Sequence, residues 1–210
     1  AVNPVRKEIA QVFLCGHGND CTNSPIQGYY DLSYNPDGPA RRAHDAGKVF
    51  LALRKSAPET FVLLGAVHRS FRQEPAAFPE GAWVTPLGEV AVDAEALAAV
   101  REAGIDVSAE EHADEHSIEV QIPFIQVLFP DARIVPITVP HAPGAAEAGR
   151  RIGSGLAKFP RRLAVVASTD LTHYGMGYHG THHGPLPKAM GWMRQNDARM
   201  IALIEKLEAD

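Results

Sequence analysis

The chain has 210 residues, of which 45% are apolar and 21% charged, with a formal net charge of −5 and a pI near 6.1. That balance is ordinary for a globular domain and carries no basic footprint, so nucleic acid is excluded as an expected partner. No apolar run approaches the roughly 18 residues that span a bilayer, so no membrane is expected either.

The first residues, 1–9, mix charges where a signal peptide needs an apolar core. Two cysteines, Cys15 and Cys21, make no disulfide framework and lack zinc-finger spacing. A reducing, cytoplasmic setting is the expectation. The compositional oddity is ten histidines.

A short apolar run at 11–15 reads as a first buried strand. Pro39, at an early helical position, opens a helix over 39–55 that carries Ala43, Ala46, Phe50 and Leu53 at helical spacing. A second strand follows at 60–64. Residues 83–92 read as a small hairpin turning at Pro86-Leu87-Gly88, outside the main sheet. An Ala-rich helix over 93–102 has Asp93 as its cap and Gly104 as its stop.

Ile118, Ile122, Ile125 and Phe129 share the spacing of one buried face, which predicts a helix over 117–129 with Ser117 available to cap it. A third strand at 134–139 contains Pro136, which argues for an edge position or a local break. A helix over 145–158, a fourth strand at 163–167 and a helix over 188–207 complete the order. Strands that are apolar throughout and alternate with helices predict an α/β fold, three-layered around a mostly parallel sheet, in one domain over 1–210. The arginine pairs Arg41-Arg42, Arg150-Arg151 and Arg161-Arg162 read as solvated faces.

In open α/β sheets, ligands bind beyond the carboxyl ends of the strands. A histidine follows each of the four strands here: His17, His68, His141 and His173. Imidazoles converging on one rim are what a metal site needs, and His17 and His68 are its first candidates. Gly16 and Gly18 give the backbone at His17 room for an ion, although an ordinary glycine turn explains the same residues. The run Asp114-Glu115-His116-Ser117 precedes the 117–129 helix. The helix dipole accounts for its two acids, but it disfavours a protonated His116. A neutral His116 could donate a hydrogen bond to an oxyanion. His179, His182 and His183 lie in a Gly-rich loop, where a solvated role is the simpler reading.

Five stretches occur in an order that resembles the MEMO family, a relative of the class III extradiol ring-cleaving dioxygenases. They are Leu64-Gly65-x-x-His68, Thr85 to Asp93, Glu115 to Phe124, Ile134 to Ile137, and Ser168 to Tyr174. The resemblance spans roughly 11–207. It implies a three-layer α/β/α fold and a non-heme metal site, with Fe(II) as the first expectation and Cu or Zn as alternatives.

By the same resemblance, His68 is the second metal histidine, His173 the acid/base and His116 a histidine lining the pocket. His17 stands where the first metal histidine belongs, in a divergent motif. An insertion over 19–37 brings Tyr29, Tyr30 and Asp31 into that neighbourhood, and the chain is expected to lack the C-terminal part that usually supplies a third ligand. His173, Asp20, Glu115 and His141 are internal substitutes; a homo-oligomer or a second chain is the external one.

The chemistry then implied is oxidoreductase chemistry: a catechol-like aromatic substrate and O2 meet at Fe(II), and His173 takes and returns a proton. Histidine suits that work because its ordinary pKa lies near neutrality. Trp83 and Tyr30 are expected to stack on the substrate, with Glu115 also lining its site. The rival reading is a metal-binding or interaction protein that keeps the pocket without turnover.

Overall fold

This computed structural model describes residues 8–12, 47–68, 70–169, 171, 172, 174, 183, 184 and 186–206. Among them a six-stranded sheet runs in the order β1 (Glu8–Val12), β8 (Leu163–Ser168), β2 (Thr60–Ala66), β7 (Arg133–Val139), β3 (Ala76–Ala77) and β6 (Asp106–Val107). Every pairing is parallel except β7 with β3. A separate two-stranded hairpin, β4 (Ala82–Thr85) and β5 (Gly88–Ala91), turns at Pro86-Leu87, as the sequence predicts.

The sheet is mostly parallel because helices alternate with its strands and cover both faces. On β2, Phe61 and Leu63 point to one face and Val62 to the other. The first face packs against Phe50 and Leu53 of α1 (residues 47–53) and against Ile122 and Ile125 of α3 (Ile122–Leu128). The second packs against Leu97 and Val100 of α2 (Ala94–Glu102) and Ala148 and Ile152 of α4 (Ala145–Gly155). Two cores on opposite faces of one sheet give the expected three-layer α/β/α arrangement. Burying each of these larger side chains contributes about 1.5–3 kcal/mol. A fifth helix, α5 (Leu186–Lys206), follows β8. No helix among the described residues is long and apolar enough to cross a membrane.

Several expectations shift. The first strand lies at 8–12 rather than 11–15, because its ladder with β8 runs from Glu8 opposite Ala164 to Val12 opposite Ser168. Residues 13–15 lie outside the described residues. Pro136 sits in an interior strand, not at an edge. The break that admits it is on the β3 side: Ile137 and Thr138 pair with β3 and Ile134 bridges Val92, so Pro136 falls in the interval. The helix expected over 117–129 starts instead as a 3-10 turn at Glu119–Gln121 and becomes α-helical at Ile122. Ser117 does not cap it; its hydroxyl donates to the Ala66 carbonyl at 2.8 Å.

Asp93 does cap α2, accepting from the Ala96 N–H at 3.1 Å, and Gly104 follows that helix with φ +80°. Arg161 is not simply a solvated residue. Its guanidinium donates to both Asp93 oxygens at 2.7 and 2.8 Å and to Glu95 at 2.6 Å. Thr60 Oγ1 donates to the same buried Asp93 at 2.5 Å, so one carboxylate joins the start of β2, the start of α2 and the segment before β8. These bonds outweigh burial and hold the Asp93 carboxyl below its ordinary pKa.

Candidate metal centre

β1, β8 and β2 lie side by side and point the same way, so their carboxyl ends share one edge of the sheet. Two residues past the end of β2 the chain reaches His68. Against that strand end lies the segment 115–118, and Gly65 makes the approach close. A Cβ at Gly65 would stand 2.5 Å from Cγ1 of Ile118, and closer still to the Ser117 hydroxyl. Only a residue without a side chain lets the segment dock there. Ser117 then bonds Ala66, Ile118 enters the first core, and Glu115 is carried to His68.

Glu115 is the hub of the cluster. Its side chain is only 3% exposed, whereas the side chains of His68 and His116 are each 36% exposed. Oε1 accepts from His68 Nδ1 at 2.8 Å, from the His116 backbone N–H at 2.8 Å and from the Ser117 N–H at 3.0 Å. Oε2 accepts from the His68 backbone N–H at 2.6 Å. Burial alone would raise the pKa of this carboxyl. The bonds from His68 and Ser117 more than reverse that and bring it to about 2, so it is an anion at neutral pH. The His68 and His116 rings stack, with centroids 4.6 Å apart and planes 25° from parallel.

His68, Glu115 and His116 each offer one ligand atom, and those atoms lie within 4.8 Å of one another. Two imidazoles and a carboxylate suit borderline divalent ions such as Fe(II) or Zn(II), so the donor set fits a metal. The structure therefore brings three of the sequence candidates together: His68, Glu115 and His116.

Other candidates among the described residues stand outside this group. Trp83 lies against Phe78 and buried His112, at ring-centroid distances of 5.0 and 5.9 Å, on the fringe of the first core. His141 is exposed and not part of the cluster. His17, Asp20, Tyr29, Tyr30, Asp31, His173, His179 and His182 lie outside the described residues. His183 stacks on Trp192 of α5 at 4.0 Å. Arg72, a short way past His68, pairs with Asp106 and donates to the Glu74 carbonyl at 2.9 Å.

Two features escape a reading of the sequence. One is the hub role of Glu115, which a helix-dipole argument conceals; the signal was a carboxylate immediately before two residues whose N–H groups it could cap. The other is a tether on the segment after β8. Thr172 accepts from Asn196 Nδ2 at 2.8 Å through its hydroxyl and donates its N–H to Asp197 at 2.9 Å. Both partners lie on α5, and Thr172 immediately precedes His173 in the chain.

Fold and cluster together define a three-layer α/β protein with a metal-compatible His/Glu group at the carboxyl edge of its sheet. Residues 37–210 match the family model for Memo-like protein, and the chain belongs to that family. It is 40% identical to a MEMO1 family protein of Thermococcus onnurineus over 144 residues, 64% of this chain and 50% of the relative. A MEMO1 family protein of Thermococcus kodakarensis is 43% identical over 129 residues, 58% of this chain and 44% of the relative. One from Pyrococcus horikoshii is 36% identical over 162 residues, 73% of this chain and 56% of the relative. The chain spans about half the length of the curated relatives it matches.

Proposed function

We propose that this chain forms much of a divalent-metal site, with Fe(II) its resident ion, that acts on a small catechol-like substrate and O2. The observation that supports it most directly is the place of His68 at the carboxyl edge of a parallel sheet, with Glu115 and His116 gathered beside it. The resemblance to ring-cleaving dioxygenases supplies the reaction class. His68 and His17 are the proposed metal histidines. β1 and β2 flank β8 and end at one edge, which supports a common rim for the residues that follow these strands.

When bound, the ion would supply Lewis acidity toward the substrate hydroxyls and a site for O2. His173 would remove a hydroxyl proton onto a ring nitrogen and return one as the ring opens. His116 would hydrogen-bond the substrate oxygens from beside His68. Tyr30 would form an aromatic wall. Both oxygen atoms enter the ring-opened product, so no external reductant is consumed. A second chain or a homo-oligomer is the proposed source of a further ligand, and Cu or Zn would serve as alternative ions.

Metal analysis of the wild type beside His17→Ala and His68→Ala tests the site, and full retention in both variants would sink it. Oxygen uptake by the Fe(II)-loaded protein across a catechol panel tests the reaction. The second reading, a metal-holding protein without turnover, is favoured by one observation: the Glu115 oxygens are engaged by four N–H donors. Metal binding with no uptake on any catechol would establish that reading.

A further inference from the structure

We infer that Glu115 is a positioning residue: its carboxylate fixes the His68 ring with the proton on Nδ1 and the lone pair on Nε2, and it is not itself a metal ligand. This deepens the proposed metal site and rests on it. The geometry carries the inference in three steps.

A carboxylate is an acceptor only, so the 2.8 Å contact between Oε1 and Nδ1 requires the proton on the imidazole nitrogen. The neutral ring then has its lone pair on Nε2, the only nitrogen through which it can bind an ion. The backbone N–H of His68 donates to the other oxygen of the same carboxylate at 2.6 Å. Ring and main chain of one residue are thus held by one group, which sets the side-chain rotamer as well as the tautomer.

Binding an ion directly would use the carboxylate differently. Oε1 already accepts three N–H groups, and the side chain is 3% exposed. To coordinate through Oε1, Glu115 would have to release the N–H groups of His116 or Ser117 into a buried setting, where orphaned donors are costly; Oε2 is turned to the His68 backbone N–H and belongs to the same buried side chain. An outer carboxylate that orients a ligating histidine avoids that loss. Removing such a partner usually weakens metal affinity by roughly 10–100-fold rather than abolishing it.

The test uses the full chain with 15N-labelled histidine and Zn2+ as a diamagnetic probe. Long-range 1H–15N spectra report the tautomer of each ring, and His68→Ala assigns the signal. In the metal-free wild type, His68 is expected as the Nδ1–H form. Added Zn2+ should shift Nε2 while the Nδ1 proton persists. In Glu115→Gln, a weaker acceptor that turns an N–H toward these donors, both tautomers should appear. Its Zn2+ affinity should fall about 10–100-fold.

An Nε2–H ring in the metal-free wild type overturns the role of Glu115, and this reading needs no variant to fold. So does unchanged affinity in Glu115→Gln. Loss of the Nδ1 proton in the wild type on adding Zn2+, with affinity in the variant falling beyond about a thousandfold, makes Glu115 a ligand instead. A wild type that binds no Zn2+ overturns the metal centre itself, and with it any metal role for Glu115.

Discussion

Replacing Gly65 with alanine would insert a methyl group where the 115–118 segment meets β2. The new carbon would stand 2.5 Å from Cγ1 of Ile118 and 3.1 Å from its Cδ1. Ordinary contacts begin near 3.4 Å, so the segment must retreat by about an ångström. Ile118 is 1% exposed and lies in the first core, so it has little free space to enter. Overpacking of this kind costs about 1–3 kcal/mol, and losing the Ser117–Ala66 hydrogen bond adds about 1 kcal/mol.

The sum, about 2–4 kcal/mol, lowers the Tm of a domain this size by roughly 4–16 °C. The same retreat draws Glu115 away from His68, so divalent-metal affinity should fall with stability. Thermal unfolding followed by circular dichroism, with Zn2+ titration at 20 °C, reads both effects. Gly149→Ala is the control. It is an exposed helical position with nothing within 4 Å of the added carbon, and it should gain about 0.5–1 kcal/mol. A Gly65→Ala protein that melts within about 2 °C of wild type and binds Zn2+ equally well would refute the close-approach argument.

Asp93→Ala removes a helix cap and the buried partner of Arg161 and Thr60, and it should cost about 3 kcal/mol by urea denaturation. A loss under about 1 kcal/mol would mean that Arg161 and Thr60 find equivalent partners. Acid should destabilise the metal-free protein through Asp93 and Glu115, whose pKa values are both depressed by folding. Glu115 falls from 4.5 to about 2, so its contribution of roughly 3 kcal/mol is complete above about pH 5 and fades as the pH drops toward 2. Urea midpoints between pH 6 and 3 should therefore fall steeply in wild type and less in Glu115→Gln; parallel slopes would contradict it. On the proposed oxygenase reading, Asp197→Ala removes one of the two bonds that tether Thr172 and should lower oxygen uptake by about 10–100-fold while leaving metal affinity near that of wild type. An equal loss of metal affinity would show that the tether serves the fold rather than the segment after β8.

Much of the fold was legible because it rests on period and punctuation. The apolar runs at 60–64 and 163–167 became β2 and β8 within two residues, and Asp93 and Gly104 bounded α2 as their chemistry requires. The two-residue strands β3 and β6 were not, since Ala76-Ala77 and Asp106-Val107 acquire strand geometry only from their neighbours. His68 was found by its position after a strand and by a motif. Its partner Glu115 reads only as a substrate-site residue or a substitute ligand, because nothing local reveals a bond to His68 across 47 residues of chain. Arg161 was misread for the same reason: its carboxylate lies 68 residues away.

That one buried carboxylate collects N–H groups from both sides of the strand end also bears on how the region opens. The amides of His68, His116 and Ser117 all end on Glu115, so none can exchange with solvent through its own fraying alone. They should exchange as a single unit with one opening free energy, and a bound ion should slow all three by the same factor. Loading of the metal and breathing of the strand end would then be two views of one equilibrium.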